Sequence, residues 1–150
     1  MTDKINYGWS ELYDDTKKIS NWVKECNFNP DIVVGIIRGG SIPAVIISHL
    51  LDVPVVMLDW SLRDGKKKNT KILDQLAIQA SCGKRILFID DIVDSGKTMS
   101  EIKERMFDTK NNVLYTSLWY NPSQQTPIHF WSNVIDRRVD SRWVAFPYEA

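Results

Sequence analysis

The chain has 150 residues, 43% hydrophobic and 25% charged, and its 19 basic and 19 acidic side chains cancel to a formal net charge of zero. This length suits one domain with its own core, and the balanced charge argues against a polybasic nucleic-acid coat or an acidic disordered tail. Cys26 and Cys82 stand far apart, and His49 and His129 are the only histidines, which argues against a disulfide framework, a Cys-type zinc site and HExxH chemistry. Residues 1–18 are polar and mixed in charge, unlike a signal peptide. The longest apolar runs, 42–47 and 53–58, are too short to span a membrane. The expectation is one cytoplasmic domain over residues 1–150.

Residues 9–26 predict a first helix, with Leu12, Ile19, Trp22 and Val23 at helical spacing and Ser10 as its expected N-cap. Asn29-Pro30 ends it. Asp31-Ile32-Val33-Val34-Gly35-Ile36-Ile37 is a β-branched run suited to a strand buried on both faces. A tight loop, Arg38-Gly39-Gly40-Ser41, leads into a short apolar helix over 42–51 with Pro43 in its first turn. Residues 53–58 predict a second strand, with Pro54 near its start or on an edge. The stretch 61–71 holds five basic residues and one acidic residue and reads as a mobile loop. Residues 72–80 fit a helix or a strand. A third buried strand is expected over 84–89, a helix over 98–107, and a fourth strand over 112–119 with Val113, Tyr115, Ser117 and Trp119 on one side. A short strand around 131–135 completes the series. Strands alternating with helices indicate an α/β fold with a mostly parallel sheet, which binds ligands beyond the C-terminal ends of its strands.

The strongest chemical signal is Ile86-Leu87-Phe88-Ile89-Asp90-Asp91-Ile92-Val93-Asp94-Ser95-Gly96-Lys97-Thr98. A buried strand ends in two carboxylates, and a turn of small and hydroxyl residues then opens a helix. Free N–H groups and the helix dipole make that turn an anion cradle suited to phosphate. Gly96 permits close backbone approach. The twin acids would repel a phosphate, so they suit vicinal hydroxyls or a divalent metal. Phosphate at one end and a polyol at the other describe a sugar phosphate. Gly96-Lys97-Thr98 matches the tail of a Walker A loop, but Asp91 stands where its first glycine is required.

This segment resembles the phosphoribosyl pyrophosphate (PRPP) signature of the type I phosphoribosyltransferases. In size and at the chain ends the sequence is similar to the family's short purine enzymes, of the xanthine-guanine and hypoxanthine type. The resemblance implies a central mostly parallel sheet flanked by helices, with a small C-terminal hood over the base. It implies that Asp90 and Asp91 contact the ribose hydroxyls and nearby metal, and that Asp94 manages a proton near N7 of the purine. Asp94, Ser95, Gly96, Lys97 and Thr98 would hold the 5-phosphate.

Gly35-Ile36-Ile37-Arg38-Gly39-Gly40 places a cation and two glycines after a buried strand, which suits a diphosphate. It resembles the family's pyrophosphate loop (Arg38, Gly39, Gly40), and the resemblance implies a cis Arg38–Gly39 peptide. The basic run 63–71 matches in position the family's mobile catalytic loop, which would steer the anionic PRPP and exclude water; one short basic run is thin support for nucleic-acid binding. The C-terminal Arg142-Trp143-Val144-Ala145-Phe146-Pro147-Tyr148-Glu149 resembles the purine enzymes' base-binding segment. By that resemblance Trp143 stacks on the base, the Val144 backbone meets the exocyclic group at C2, and Glu149 lies near a second metal.

One departure stands out. The hypoxanthine and guanine enzymes place a lysine before the proline that follows the strand after the PRPP helix, and it reads the 6-oxo group. Asn121 stands there, in Trp119-Tyr120-Asn121-Pro122, and an amide both donates and accepts. The implied activity is a Mg2+-dependent transfer of the 5-phosphoribosyl group from PRPP to a purine base, by a homo-dimer or homo-tetramer that uses neither nucleic acid nor membrane. The alternative is a regulatory protein of the same fold that senses PRPP or a nucleotide without turnover.

Overall fold

The computed structural model describes residues 3–60, 68–107 and 111–149. In chain order its elements are β1 (Lys4–Asn6), α1 (Trp9–Glu25), β2 (Ile32–Ile37), α2 (Ser41–Leu51), β3 (Val55–Asp59), α3 (Thr70–Ser81), β4 (Ile86–Val93), α4 (Lys97–Met106), β5 (Val113–Tyr120), β6 (Phe130–Val134) and β7 (Trp143–Ala145). Among the described residues five strands form a parallel sheet in the order β3-β2-β4-β5-β6. The expected α/β architecture is therefore present. A second, two-stranded parallel sheet pairs β1 with β7, with Ile5 opposite Val144. No helix among the described residues is long and apolar enough to cross a membrane.

Each sheet face has its own core. Leu12, Ile19 and Val23 of α1 and Ala44 and Ile47 of α2 pack on Val33, Leu87 and Ile89. Leu73 and Leu76 of α3 and Met99, Ile102 and Met106 of α4 pack on Val34, Ile36, Ile86 and Phe88. Burying one such aliphatic side chain contributes roughly 1.5–3 kcal/mol. Residues 72–80 resolve as helix because Leu73, Leu76, Ala77 and Ala80 line one buried stripe. The Asn69 side chain caps that helix, accepting the Ile72 N–H at 3.1 Å. The rest of the basic run, 61–67, lies outside the described residues.

Four local expectations are corrected. The N-cap of α1 is Gly8 rather than Ser10; the Glu11 carboxylate accepts the Gly8 N–H. The cis peptide is Ile37–Arg38, one bond before the expected place. β4 does not stop at the twin acids but continues through them to Val93. Trp119 does not share a side with Val113 and Tyr115: those two join the α3–α4 core, whereas Trp119 joins the opposite one, edge-on to Tyr7 at 5.6 Å.

The last two corrections share a cause. Side chains of a strand alternate between faces. In β4, Ile86 and Phe88 face one core and Leu87 and Ile89 the other, but Ile92 then joins Leu87 and Ile89 while Val93 joins Ile86 and Phe88. Alternation inverts across Asp90-Asp91. β5 follows in the same register, with Ile86 opposite Val113 and Ile92 opposite Trp119. The backbone that carries the twin acids is thus reshaped, with pairing skipped at Asp91 and Leu118, while the register on either side is kept.

Candidate active site

β2 connects to β3 on one side of itself, and the chain then returns to lay β4 on its other side. That reversal places the loops after β2 and β4 beside each other at the C-terminal ends of their strands, where open α/β sheets form their ligand crevice. These are the loops of the two predicted motifs.

The loop after β2 is held by the Gly40 N–H on the Ile36 carbonyl at 2.8 Å and the Ser41 hydroxyl on the Arg38 carbonyl at 2.6 Å. Arg38 is exposed. A Cβ at Gly39 would overlap the Asp91 carboxylate, so glycine is what lets the acid sit directly on this loop. Asp90 and Asp91 are each oriented by backbone: Asp90 accepts the Asp91 N–H at 2.8 Å and Asp91 accepts the Ile92 N–H at 2.7 Å. The predicted diphosphate and ribose groups are therefore in contact through Gly39 and Asp91.

Gly96, at φ 82°, is the N-cap of α4, a left-handed conformation that glycine adopts without a Cβ penalty. Its carbonyl accepts the Thr126 hydroxyl at 3.2 Å, and a Cβ here would overlap the Gln124 side chain. Ser95 and Lys97 are exposed, Thr98 is half-buried, and Ser95 Oγ accepts the Lys97 N–H at 3.3 Å. The first turn of α4, whose N–H groups a helix leaves without intrahelical partners, thus lies beside a hydroxyl and an ammonium, a setting for an anion.

Asp94 has a partner that sequence reasoning missed. Arg137 grips it in a fork, Nε to Oδ1 and Nη2 to Oδ2, both 3.0 Å. Arg137 also donates from Nη1 to the Asp140 and Arg142 carbonyls, one residue before Trp143. Nothing in Asp136-Arg137-Arg138-Val139-Asp140 distinguishes Arg137 from Arg138, which instead pairs locally with Asp136 at 2.7 Å. Asn121 is 5% exposed. Its Nδ2 donates to the Asp94 carbonyl at 2.9 Å, and its Oδ1 accepts the N–H groups of Ser123 and Arg137, both 3.1 Å, and the Ser123 hydroxyl at 2.6 Å. Asn121 is thus buried and braces the backbone on both sides of the Asp94–Arg137 pair.

Trp143 lies in β7 and is 45% exposed, next to Val144, which is buried in the core. A second missed residue is Tyr148. Its hydroxyl donates to the Gly39 carbonyl at 2.8 Å and approaches Asp91 Oδ2 at 3.3 Å. Burial first, and then the Asp91 charge, push its phenol far above the ordinary value, so it stays protonated. Its ring stacks on Phe146 at 5.6 Å and meets the edge of Trp9 at 6.3 Å. The aromatic content of the C-terminal segment was the available signal, but its target in the Arg38 loop was not. Glu149 is exposed beside Tyr148.

Among the described residues no three His, Cys, Asp or Glu side chains converge as a ready metal cluster. Two adjacent carboxylates nonetheless fit Mg2+, which binds through one or two carboxylates and substrate phosphates and keeps several waters. A groove of about 850 Å3 between α3 and α4, lined by Trp60, Asp74, Ile78 and Phe107, holds none of the predicted site residues.

The chain is similar over 97% of its length, at 25% identity, to a xanthine-guanine phosphoribosyltransferase of Roseobacter denitrificans, of which it covers 85%. Its fold is similar to a purine phosphoribosyltransferase from Pyrococcus horikoshii, with a TM-score of 0.74 at 23% identity over 98% of this chain and 95% of that one. It is also similar to a Neisseria gonorrhoeae protein solved with bound ppGpp, with a TM-score of 0.76 at 20% identity over 100% and 91% of the two chains. The family model for the phosphoribosyl transferase domain matches residues 8–150. That span takes in the sheet, the Arg38 loop, the twin acids, the cradle at α4 and the Trp143 segment, so the chain belongs to the phosphoribosyltransferase family.

Proposed function

We propose that this chain, acting as one phosphoribosyltransferase domain, transfers the 5-phosphoribosyl group of PRPP to a purine base of the hypoxanthine, guanine or xanthine type. The products are a nucleoside 5′-monophosphate and pyrophosphate. The observation that carries this reading is the seat of Asp91 on Gly39. It joins a group suited to ribose hydroxyls to a loop suited to a diphosphate, as one substrate bearing both requires.

The 94–98 turn anchors the 5-phosphate, and that remote binding orients C1. Asp90 and Asp91 receive the ribose hydroxyls, and Tyr148 keeps Asp91 in register with the loop beneath it. Arg38 and the backbone of Gly39 and Gly40 receive the pyrophosphate, which leaves with the electron pair of the C1–O bond as base nitrogen bonds to C1. Asp94 accepts the proton that the base gives up. Trp143 supplies a face for stacking, worth roughly 1–3 kcal/mol. Asp90 and Asp91, with Glu149 nearby, would hold Mg2+, which would supply charge neutralisation for the diphosphate. The active form is a cytoplasmic homo-dimer or homo-tetramer.

The test is incubation with PRPP, Mg2+ and single bases (hypoxanthine, guanine, xanthine, adenine, uracil, orotate), with mass spectrometry of the products. One or more 6-oxopurine monophosphates are expected, and Asp94→Asn should lower the rate by roughly 100- to 10,000-fold. A second reading, a nucleotide-sensing regulator, draws on the engagement of Asp94 by Arg137 and on likeness to the ppGpp-bound protein. PRPP or nucleotide binding with no product from any base would favour it.

A further inference from the structure

Arg137 has no part in the transfer as derived above, yet it is the cation nearest the proton-accepting group. We infer that Arg137 is the residue that selects a 6-oxo over a 6-amino purine. This rests on the proposed reading that the base lies against Trp143 beside Asp94.

The argument is an inventory of donors. A guanidinium carries five N–H groups and no acceptor, and it does not deprotonate in proteins. In Arg137, Nε–H and one Nη2–H bind the two oxygens of Asp94, and Nη1 donates to the carbonyls of Asp140 and Arg142. The remaining Nη2–H has no partner among the described residues. It lies next to Asp94 Oδ2, the acceptor of its twin. The pair therefore offers a ligand one donor and one acceptor side by side.

The plane of that fork is fixed. Asn121 takes the Arg137 N–H on Oδ1 and gives its own Nδ2–H to the Asp94 carbonyl, so one buried amide positions both partners. The Arg142 carbonyl ties the far side of the guanidinium to the strand that begins with the exposed Trp143. The Arg137 side chain is only 22% exposed, which limits alternative rotamers.

The imidazole-side edge of a 6-oxopurine complements this pattern. Its O6 accepts from Nη2, and N7, when protonated, donates to Asp94. A 6-aminopurine sets an N–H of its amino group against the Nη2–H, two donors face to face. Such an unpaired contact, once the bound base displaces water from the pair, is a strong basis for rejection. Asn121 thus scaffolds the reader, and the charged reader arrives from the loop after β6.

The experiment measures kcat/KM for hypoxanthine and adenine, and Kd for IMP, AMP and PRPP, in the wild type, Arg137→Gln and Arg137→Lys. The wild type should favour hypoxanthine and IMP. Arg137→Gln should lower kcat/KM for hypoxanthine and weaken IMP binding by roughly 10- to 100-fold more than it lowers the same quantities for adenine and AMP. Arg137→Lys, which keeps the charge and loses the fork, should recover part of the loss. Equal losses for both bases and both nucleotides, or a wild type that treats them alike, would overturn the inference. Failure of the transferase reading looks different: no base yields product, and the ratio of IMP to AMP affinity, with its response to Arg137→Gln, still decides the role of Arg137.

Discussion

The proposed phosphate end and the proposed base end of this site are built in opposite ways. At the phosphate end two short segments, 38–40 and 90–98, supply nearly everything, and each runs directly out of a buried strand. At the base end Asn121, Arg137, Trp143 and Tyr148 are spread over residues 121–148, and the side-chain bonds that tie them into the site are long-range: Asn121 and Arg137 to Asp94, Tyr148 to Gly39 and Asp91. Backbone does the work in the first: N–H groups orient Asp90 and Asp91, and glycines allow close approach. Side chains do it in the second, where Asn121 braces the Asp94–Arg137 pair. A scaffold that presents backbone tolerates few substitutions, whereas one that presents side chains can change what it reads by exchanging a single residue.

The largest expected effect breaks the phosphate end. Gly39→Ala would drive a methyl group into the Asp91 carboxylate. Displacing that acid by about an ångström should cost on the order of 100-fold in kcat/KM for PRPP. Affinity for a free nucleoside should change far less, and comparing the two by titration and steady-state kinetics checks the claim. Next comes the base end. Asn121→Ala removes a buried amide that serves Asp94, Ser123 and Arg137 and leaves their groups without it, a loss of about 1–3 kcal/mol. Urea unfolding should show it, and selectivity among bases should relax along with stability.

Tyr148 crosses the divide, since it is a base-end residue that touches phosphate-end groups. Tyr148→Phe keeps the stack on Phe146 and deletes the bonds to Gly39 and Asp91. A neutral hydrogen bond of this kind is worth about 0.5–1.5 kcal/mol. Its loss should raise KM for pyrophosphate in the reverse reaction up to roughly tenfold, with KM for the nucleotide little changed. An equal rise in both would mean that Tyr148 serves general packing.

The same contrast explains what was legible in the sequence. The phosphate end is contiguous, so residue type and order were sufficient to place it. The base end depends on partners far apart in the chain: Arg137 and Asp94 are 43 residues apart, and Tyr148 and Asp91 are 57. No local pattern marks such pairs. β1 and β7, three residues each, are too short for periodicity to declare them. Trp119 defied alternation because β4 and β5 are reshaped together: their pairing skips Asp91 and Leu118 and resumes in the same register at Ile92 and Trp119. The helix over 70–81 became decidable only once the Asn69 cap and its buried stripe were seen together.

The smallest predicted effect lies outside both ends and separates scaffold from site. His129 precedes β6, and its Nδ1 accepts the Tyr115 N–H at 3.0 Å. Its ring stacks on Tyr115, and the Lys103 ammonium lies over that same ring at 5.4 Å. Burial, and then the Lys103 charge, hold its pKa below the ordinary 6.5. As pH falls below 6.5 the unfolded chain takes up a proton that the folded chain still refuses. Folding stability therefore declines across that window and is fully lost, for this group, once pH passes the folded value. His129→Asn keeps an acceptor for the Tyr115 amide and removes the titration. Unfolding measured between about pH 7.5 and 5.5 should fall more steeply in the wild type than in the variant, while kcat/KM for PRPP is the same in both at the upper pH. Parallel slopes would show that the imidazole already takes up its proton in the fold, so that the Tyr115 amide gives up its acceptor without measurable cost.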